Sequence, residues 1–171
     1  MARLKVLTYP DPFLKTHAEE VTLFDDELLK LLQDMAETMY EAPGIGLAAT
    51  QVGSSKNLFV MDIHYHKDDP STQKNPLFII NPKIVQSQGD TIMEEGCLSV
   101  PEFQAEVKRA LRVTLEYQNE KGEPQRMEAE GLEAVCIQHE MDHLKGILFI
   151  DYLSSLRRKM VQTRLKKLAR V

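Results

Sequence analysis

The sequence predicts an α+β fold, in which an antiparallel sheet region surrounds a central helix and a further helix lies towards each end of the chain. Two observations predict it. Apolar residues recur at helical spacing near the start and in the last third of the chain, whereas short runs in the middle are rich in strand-forming residues and are bounded by turns. The length of 171 residues suits one domain, which we expect to span residues 1–171.

The first helix is predicted over residues 25–41, after an irregular arm over residues 1–20. Three acidic residues at its start suit the positive end of a helix dipole, and Pro43 with Gly44 ends it. Its apolar stripe consists of Leu28, Leu31, Leu32, Met35 and Met39. One face of this helix is therefore expected to pack in the core.

Four strands are predicted in the middle of the chain. Their ranges are residues 57–63, 77–80, 83–88 and 106–118. A polar loop, His64–Pro76, contains two prolines and separates the first two strands. Asn119–Gly122 is predicted as a hairpin turn that leads into a returning strand over residues 125–129.

Two helices follow these strands. The central helix is predicted over residues 131–145, with Gly146 in the left-handed conformation that commonly follows a helix. The C-terminal helix is predicted over residues 154–170. From Ser154 to the end there are seven basic residues and no acid, so the rest of the chain carries a net charge of −12 against −5 for the whole. A basic helix on an acidic body predicts a partner of its own.

The composition is that of a soluble globular protein, with 43% hydrophobic and 27% charged residues. No apolar run approaches the roughly 20 residues of a membrane span, so no membrane partner is expected. The first ten residues lack the apolar segment of a secretory signal, and we expect a cytoplasmic protein. In that compartment the two cysteines suit metal binding, catalysis or packing better than a disulfide.

The run His139-Glu140-Met141-Asp142-His143 is the strongest sign of chemistry. Histidines four residues apart lie on one face of a helix, with Cβ atoms about 5–6 Å apart, and can share one metal ion. Glu140 can approach a water there without being a ligand. The central helix is therefore predicted to be a metal-binding helix, and the alternative is a chance match on an exposed helix.

A catalytic metal needs a third protein ligand, for which both cysteines are candidates. Cys97 follows Gly96 and precedes Pro101, which favours a rigid loop that presents a thiolate. Cys136 shares a helix face with His139, but a buried helical cysteine is usually a small apolar residue. The residues favour Cys97 as ligand and Cys136 as pocket wall, and leave the reverse open.

His64 and His66 form a second histidine pair, in the polar loop with Asp62 and Asp69 nearby. Nothing apolar or rigid frames them. A solvated loop surface is the favoured interpretation, with a metal site as the alternative.

Arg109 lies on the apolar side of the predicted strand over residues 106–118. A guanidinium that faces the core needs a partner, because burying it alone is costly. We predict that Glu94 or Glu95 pairs with it and thereby fixes the segment that carries Cys97. The alternative is that the long side chain of Arg109 reaches solvent.

Small residues dominate Gly44–Gly53, where the order of the glycines excludes a dinucleotide-binding fingerprint. They permit a peptide backbone to approach, and Gln51 adds an amide donor. The plain alternative is a connection between a helix and a strand. Together, Gly44–Gln51, Glu95–Ser99 and Gln138–His143 resemble, in this order and spacing, the three motifs of the peptide deformylase family. The resemblance covers nearly the whole chain, including Pro10–Leu14.

The resemblance implies a role for each matching position. It implies that Cys97, His139 and His143 are metal ligands and that Glu140 is the catalytic acid and base. Gln51 and the backbone N–H of Leu98 resemble the family's oxyanion donors, and Arg109 its partner for the glutamate of the second motif. The positions that resemble the surroundings of the substrate pocket are Ile45, Gly46, Glu95, Val135, Cys136 and His139.

The resemblance also implies the reaction and the partners. The expected substrate is the N-formyl-methionyl end of a new polypeptide, and the expected products are formate and a free N-terminus. Fe²⁺ is the expected ion in the cell, with Zn²⁺ or Ni²⁺ as substitutes. The basic C-terminal helix is similar to one with which family members dock on the ribosome. Loop His64–Pro76 is longer than in compact members, so its role is not implied.

The residues leave two rival functions. A zinc-dependent peptidase commonly takes its third ligand from a Glu or His after the helix, whereas no histidine follows His143 and Asp151 is the only later acid. A structural metal domain that binds the ribosome needs four protein ligands, so Cys136 would have to join the other three.

Overall fold

The computed structural model describes residues 3–169, and across them it has an α+β fold, as the sequence predicts. The three α-helices are α1 (Asp26–Glu41), α2 (Leu132–His143) and α3 (Ser155–Ala169). The seven strands are β1 (Gly46–Ala48), β2 (Leu58–Met61), β3 (Leu77–Gln88), β4 (Thr91–Cys97), β5 (Val100–Arg109), β6 (Arg112–Gln118) and β7 (Pro124–Glu130). Short 3-10 helices lie at Pro12–Lys15, Ala49–Val52 and Phe149–Tyr152.

Five strands form the larger sheet, in the order β1-β2-β3-β6-β7, and every neighbouring pair is antiparallel. Strand β2 is buried on both faces. Phe59 and Met61 pack in the same core cluster as Ile137 of α2, whereas Leu58 and Val60 pack with the apolar stripe of α1. The sheet therefore lies between α1 and α2, as alternating side chains on a strand allow.

Helix α1 begins where its acidic start predicts. Asp25 caps it by accepting a hydrogen bond from the Leu28 N–H at 3.0 Å. Four members of the predicted stripe, Leu28, Leu32, Met35 and Met39, are fully buried, and Leu31 is half-buried. Each buried apolar side chain of this size stabilises the fold by about 1.5–3 kcal/mol.

Strands β4 and β5 form a separate two-stranded sheet, which packs on the end of the chain. Val107 of β5 shares a core cluster with Phe149 and with Val161 and Leu165 of α3. The sequence predicts a rigid loop around Cys97, and this is wrong. Cys97 pairs with Val100 across a two-residue turn, so a tight hairpin supplies the rigidity.

The prediction of one strand over residues 106–118 is also wrong. The chain leaves β5 after Arg109 and enters β6 in the other sheet at Arg112. At the break, the Gln138 side chain donates to the Ala110 carbonyl and accepts from the Ala110 N–H, both at 2.9 Å. The backbone of Ala110 therefore pairs with a helix side chain instead of a neighbouring strand.

Other boundaries lie close to their predicted positions. The two segments predicted at residues 77–80 and 83–88 are one strand with a bulge, where Asn81 has a φ of 54°. Gly146 has the predicted left-handed conformation, with a φ of 76°. The predicted end of the C-terminal helix, Arg170, lies outside the described residues. Within residues 3–169 no helix combines the length and the apolar character that crossing a membrane requires.

Candidate metal centre and cleft

Helix α2 and the β4–β5 hairpin bring three potential metal-ligand atoms together. His139 and His143 are one helical turn apart on α2, and their Nε2 atoms are 3.1 Å apart. Cys97 ends β4, where the hairpin turn directs its Sγ to 3.4 Å from Nε2 of His143. All three atoms lie within 4.8 Å of one another.

These three side chains fit a transition-metal ion. One thiol sulfur and two imidazole nitrogens suit Zn²⁺, Fe²⁺ or Ni²⁺ better than Mg²⁺ or Ca²⁺. Burial lowers the pKa of His143, so its imidazole is neutral and can offer a lone pair. Three protein ligands leave a coordination position open, as catalytic sites do.

Cys136 lies elsewhere in the same region. Its Sγ points to the carbonyl oxygen of Ile45, 3.8 Å away, and is not among the three clustered atoms. Burial raises the pKa of the Cys136 thiol, which therefore stays protonated at neutral pH. The geometry favours Cys97 over Cys136 as the sulfur ligand.

Glu95 joins the hairpin to the helix. It accepts two hydrogen bonds from Arg109, both at 2.8 Å, so that Glu95 and not Glu94 is the partner that the alternation around Arg109 requires. Its Oε1 also lies 2.9 Å from Nδ1 of His139, an arrangement that leaves Nε2 of that ring to face the other two ligand atoms. Burial raises the pKa of Glu95, but the bonds from Arg109 and His139 outweigh it and hold the pKa below its usual value.

Two residues that the sequence did not single out extend this network. Asp142 accepts a hydrogen bond from Arg109 at 2.6 Å and another from the Tyr152 hydroxyl at 2.7 Å. The Tyr152 ring also lies against the Arg109 guanidinium, whose central carbon is 5.1 Å from the ring centroid. Asp142 stands inside the histidine motif, which was the available signal, whereas nothing in the sequence marks Tyr152.

Glu140 is buried beside the three ligand side chains. It is 4% exposed, and its Oε1 has no hydrogen-bond partner among the described residues. Burial is the main reason that its pKa is raised to about 7. A carboxyl group with this pKa can both accept and return a proton near neutral pH.

Gln51 approaches from the 3-10 helix that follows β1. Its Oε1 accepts from the Ala48 N–H at 2.9 Å, which fixes the orientation of the amide. Nε2 then donates to Oγ of Ser99 at 3.0 Å and lies 3.5 Å from Sγ of Cys97. Sequence reasoning did not identify Ser99, which is fully buried and follows Leu98 in the hairpin turn.

A cleft of about 830 Å³ opens beside these residues. The edge strand β1, the β4–β5 hairpin and helix α2 form its walls, and Tyr65–Asp68 forms a further part. The residues that the sequence associates with a substrate pocket all line it, namely Ile45, Gly46, Glu95, Val135, Cys136 and His139. His64 and His66 are exposed, in agreement with a solvated loop, although His66 reaches the rim of the cleft.

Gly46 of β1 passes very close to helix α2 at the cleft. A Cβ on Gly46 would lie 2.5 Å from Oε2 of Glu140 and 3.0 Å from Sγ of Cys136. Only glycine therefore lets β1 pass this close to the helix.

Comparisons with known proteins agree with this architecture. The family model of polypeptide deformylases matches residues 3–159. The peptide deformylase of Phenylobacterium zucineum is 50% identical over 171 residues, covering 99% of each chain. That of Desulfotalea psychrophila is 48% identical over 167 residues, covering 98% of this chain and 97% of its own.

Solved structures give the same result. A peptide deformylase from Legionella pneumophila superposes with a TM-score of 0.90 at 44% identity and covers 99% of this chain and 96% of its own. One from Ehrlichia chaffeensis, in complex with actinonin, superposes with a TM-score of 0.91 at 38% identity and covers all of both chains. The sequence, the arrangement of the three motifs and the fold agree, and the chain belongs to the peptide deformylase family.

Proposed function

We propose that this protein is a metal-dependent peptide deformylase, which removes the N-formyl group from the N-terminal methionine of new polypeptides and releases formate. One observation carries the proposal. The buried Glu140 carboxylate, with an oxygen that lacks a hydrogen-bond partner among the described residues, lies beside three clustered ligand side chains at a cleft. That arrangement suits attack by water on a small amide.

The ligands of one divalent ion are Cys97, His139 and His143, so α2 is the metal-binding helix at the centre of the fold. A divalent ion held there supplies a Lewis acid that makes water nucleophilic near neutral pH. The mixed sulfur and nitrogen donors support Fe²⁺ as the ion in the cell and Zn²⁺ or Ni²⁺ as substitutes. Arg109 acts through Glu95, which holds the His139 ring in place.

Glu140 moves the protons. Its pKa of about 7 leaves a substantial fraction ionised, ready to take a proton from the attacking water. The same carboxyl group then returns the proton to the leaving amine. Gly46 gives the carboxylate the space that it occupies.

Two donors stabilise the negative charge that develops on the formyl oxygen. The Gln51 amide is held by Ala48 and Ser99 before the charge appears, so it needs no reorganisation during the reaction. The backbone N–H of Leu98, in the hairpin turn next to Cys97, is the second donor.

The cleft binds the start of the polypeptide. Val135 and Cys136 give it an apolar wall that suits the methionine side chain. Strand β1 is an edge of the larger sheet, and an extended peptide can add to such an edge through backbone hydrogen bonds. Ile45 and Gly46 lie at that edge.

We place this chemistry in one catalytic domain over residues 1–171, in the cytoplasm, where polypeptides are made. The basic α3 is the element proposed to dock on the ribosome. Leu156 and Met160 on α3 are 74% and 65% exposed beside Lys159 and Lys167. Such a surface suits RNA or an acidic protein, and its binding should weaken steeply as salt rises.

A direct assay separates this proposal from its rivals. The protein is incubated with formyl-Met-Ala-Ser and, separately, with an unformylated protein substrate. Formate release without internal cleavage supports the deformylase, whereas internal cleavage supports a peptidase. Metal binding with neither reaction would support a structural site, which Cys136 is poorly placed to complete because its Sγ lies outside the ligand cluster.

A further inference from the structure

The long loop over residues 62–76 supports an inference that rests on the proposed function. Tyr65, His66, Lys67 and Asp68 of this loop line the cleft. Lys67 and Asp68 are exposed, so they lie at the mouth and not in the apolar interior. The loop is therefore placed to meet the substrate residues that follow the formylated methionine.

Both ends of the loop are bound to one carboxylate. Asp62 is 5% exposed and accepts hydrogen bonds from the N–H groups of His64 at 3.1 Å, Tyr65 at 3.2 Å and Asn75 at 2.9 Å. It also accepts from the Tyr40 hydroxyl of α1 at 2.5 Å. These four bonds join the start and the end of the loop to a helix of the core.

A side-chain stack reinforces that attachment. The rings of Tyr40 and Tyr65 meet edge to face, with centroids 5.2 Å apart. The Lys74 ammonium lies 5.0 Å from the centroid of Tyr40 and 5.6 Å from that of Tyr65. Tyr65 is thereby held by two side-chain contacts at the wall of the cleft.

The tip of the loop is closed by its own hydrogen bonds. Oγ1 of Thr72 accepts from the His66 N–H and donates to the His66 carbonyl, both at 3.0 Å. The Asp69 N–H donates to the same carbonyl at 3.0 Å, and the Thr72 N–H donates to the Asp69 carbonyl at 3.1 Å. A segment with these internal bonds is ordered before substrate arrives.

We propose that this loop is a fixed wall of the substrate cleft and that Lys67 contributes to selecting the side chains that follow the methionine. Among the described residues Lys67 has no ion-pair partner, whereas Lys74 is held over the two tyrosine rings. The lining of the cleft also carries Glu94 and Glu102. Lys67 is thus the positive group of an otherwise acidic mouth, and its charge acts on charged substrate side chains.

The test compares two substrates, formyl-Met-Ala-Asp and formyl-Met-Ala-Lys, at low salt. For Lys67→Glu, the ratio of kcat/KM for the acidic substrate to that for the basic one should fall roughly threefold to tenfold, as expected for exposed charges. Lys121→Glu changes the net charge equally on a hairpin turn that does not line the cleft, and its ratio should stay unchanged. Equal ratios for the two variants would overturn the role of Lys67.

A second measurement tests whether the wall is fixed. In the metal-loaded protein, the amide hydrogens of His66, Asp69 and Thr72 should exchange more slowly than those of an unstructured peptide. Exchange of all three at the unstructured rate would make the loop a mobile flap and contradict the proposal. Hydrolysis of formyl-Met amide by the unaltered protein tests the proposed function separately, because this substrate has no residue for the loop to contact.

Discussion

The Cα of Gly46 faces the carboxylate of Glu140 so closely that an added methyl carbon would lie 2.5 Å from Oε2. We expect Gly46→Ala to lower kcat by about tenfold to a hundredfold, because the carboxylate must move by a substantial part of an ångström. Gly44→Ala should lose much less, since the nearest atom to its methyl is at the movable end of Leu98, 3.3 Å away, and the Gly46 carbonyl oxygen lies at an ordinary 3.7 Å. Formate release and metal content are measured for both variants. An equal loss of kcat in the two would contradict the requirement for glycine at position 46.

Removal of the proton carrier should separate metal binding from turnover. Glu140→Ala is expected to keep its metal, since Glu140 is not among the clustered ligand atoms, and to lose at least about a hundredfold in kcat. Metal analysis and formate release on the same preparation give both values. Near-normal turnover with full metal would refute the role of Glu140.

The two cysteines should differ when each is replaced by serine. Cys97→Ser removes the sulfur that lies 3.4 Å from Nε2 of His143 and should lose most of the bound metal. Cys136→Ser changes only the wall of the cleft and should retain it. Metal content after extensive dialysis is the measurement, and the reverse order would exchange the roles of the two residues.

The buried Arg109 should contribute far more to the stability of the fold than an exposed arginine in a similar ion pair. Arg109→Leu leaves the buried Glu95 carboxylate without its guanidinium and with only the His139 ring as a partner, which we expect to lower the free energy of unfolding by about 3–5 kcal/mol. It should also weaken metal binding about tenfold to a hundredfold through His139.

A control for this change lies in the next strand. Arg112 pairs with Glu130 at 3.0 Å, but both side chains are more than half exposed. Arg112→Leu should change the free energy of unfolding by less than about 1 kcal/mol. Urea unfolding and a metal-competition titration measure both variants, and similar losses would show that the buried pair is not special.

Ionisation of Asp62 should make the stability of the fold depend on pH in the acid range. Burial raises its pKa, but the hydrogen bonds from Tyr40, Asn75, His64 and Tyr65 outweigh it, so the pKa lies below its ordinary value. A folded pKa below the unfolded one means that the carboxylate stabilises the fold fully above about pH 4 and loses this effect as the pH falls through the folded pKa.

The variant Asp62→Asn checks that sign. At pH 7 it should be less stable than the unaltered protein by about 1–3 kcal/mol, because buried donors lose their charged acceptor. The difference should narrow as the pH falls below about 4. Urea unfolding of both proteins across this range is the measurement, and a constant difference would exclude a contribution from ionised Asp62.

The periodicity of the sequence predicts those features of the fold that depend on local sequence pattern. The helices could be predicted from the spacing of apolar residues and from capping residues. The inward direction of Arg109 could be predicted because side chains alternate between the two faces of the strand up to that residue. The break after Arg109 could not be predicted, since it depends on a bond between Ala110 and Gln138, 28 residues away. A contact of that kind is decided only when the helix packs on the strand.

Some features of the candidate site could likewise be predicted from the sequence, and others could not. The histidine spacing and the need for a carboxylate partner of Arg109 follow from residue types and alternation, whereas the choice of Glu95 over Glu94 depends on the pairing of β4 with β5. The fixed wall at Tyr65 could not be predicted, because it needs Tyr40 from α1 to meet Asp62 across 22 residues of chain. A loop that is ordered by such contacts has the same polar sequence pattern as a loop that is simply solvated.

The two parts of the donor set come from separate stretches of the polypeptide, since Cys97 precedes His143 by 46 residues. During synthesis Cys97 is therefore made before either imidazole of the donor set exists. A chain that stops before His139 offers an ion at most the Cys97 thiol, and a chain that stops before His143 adds a single imidazole. With Cys97, His139 and His143 as the proposed ligands, tight metal binding is thus expected only once translation has passed His143 and helix α2 has packed against the hairpin.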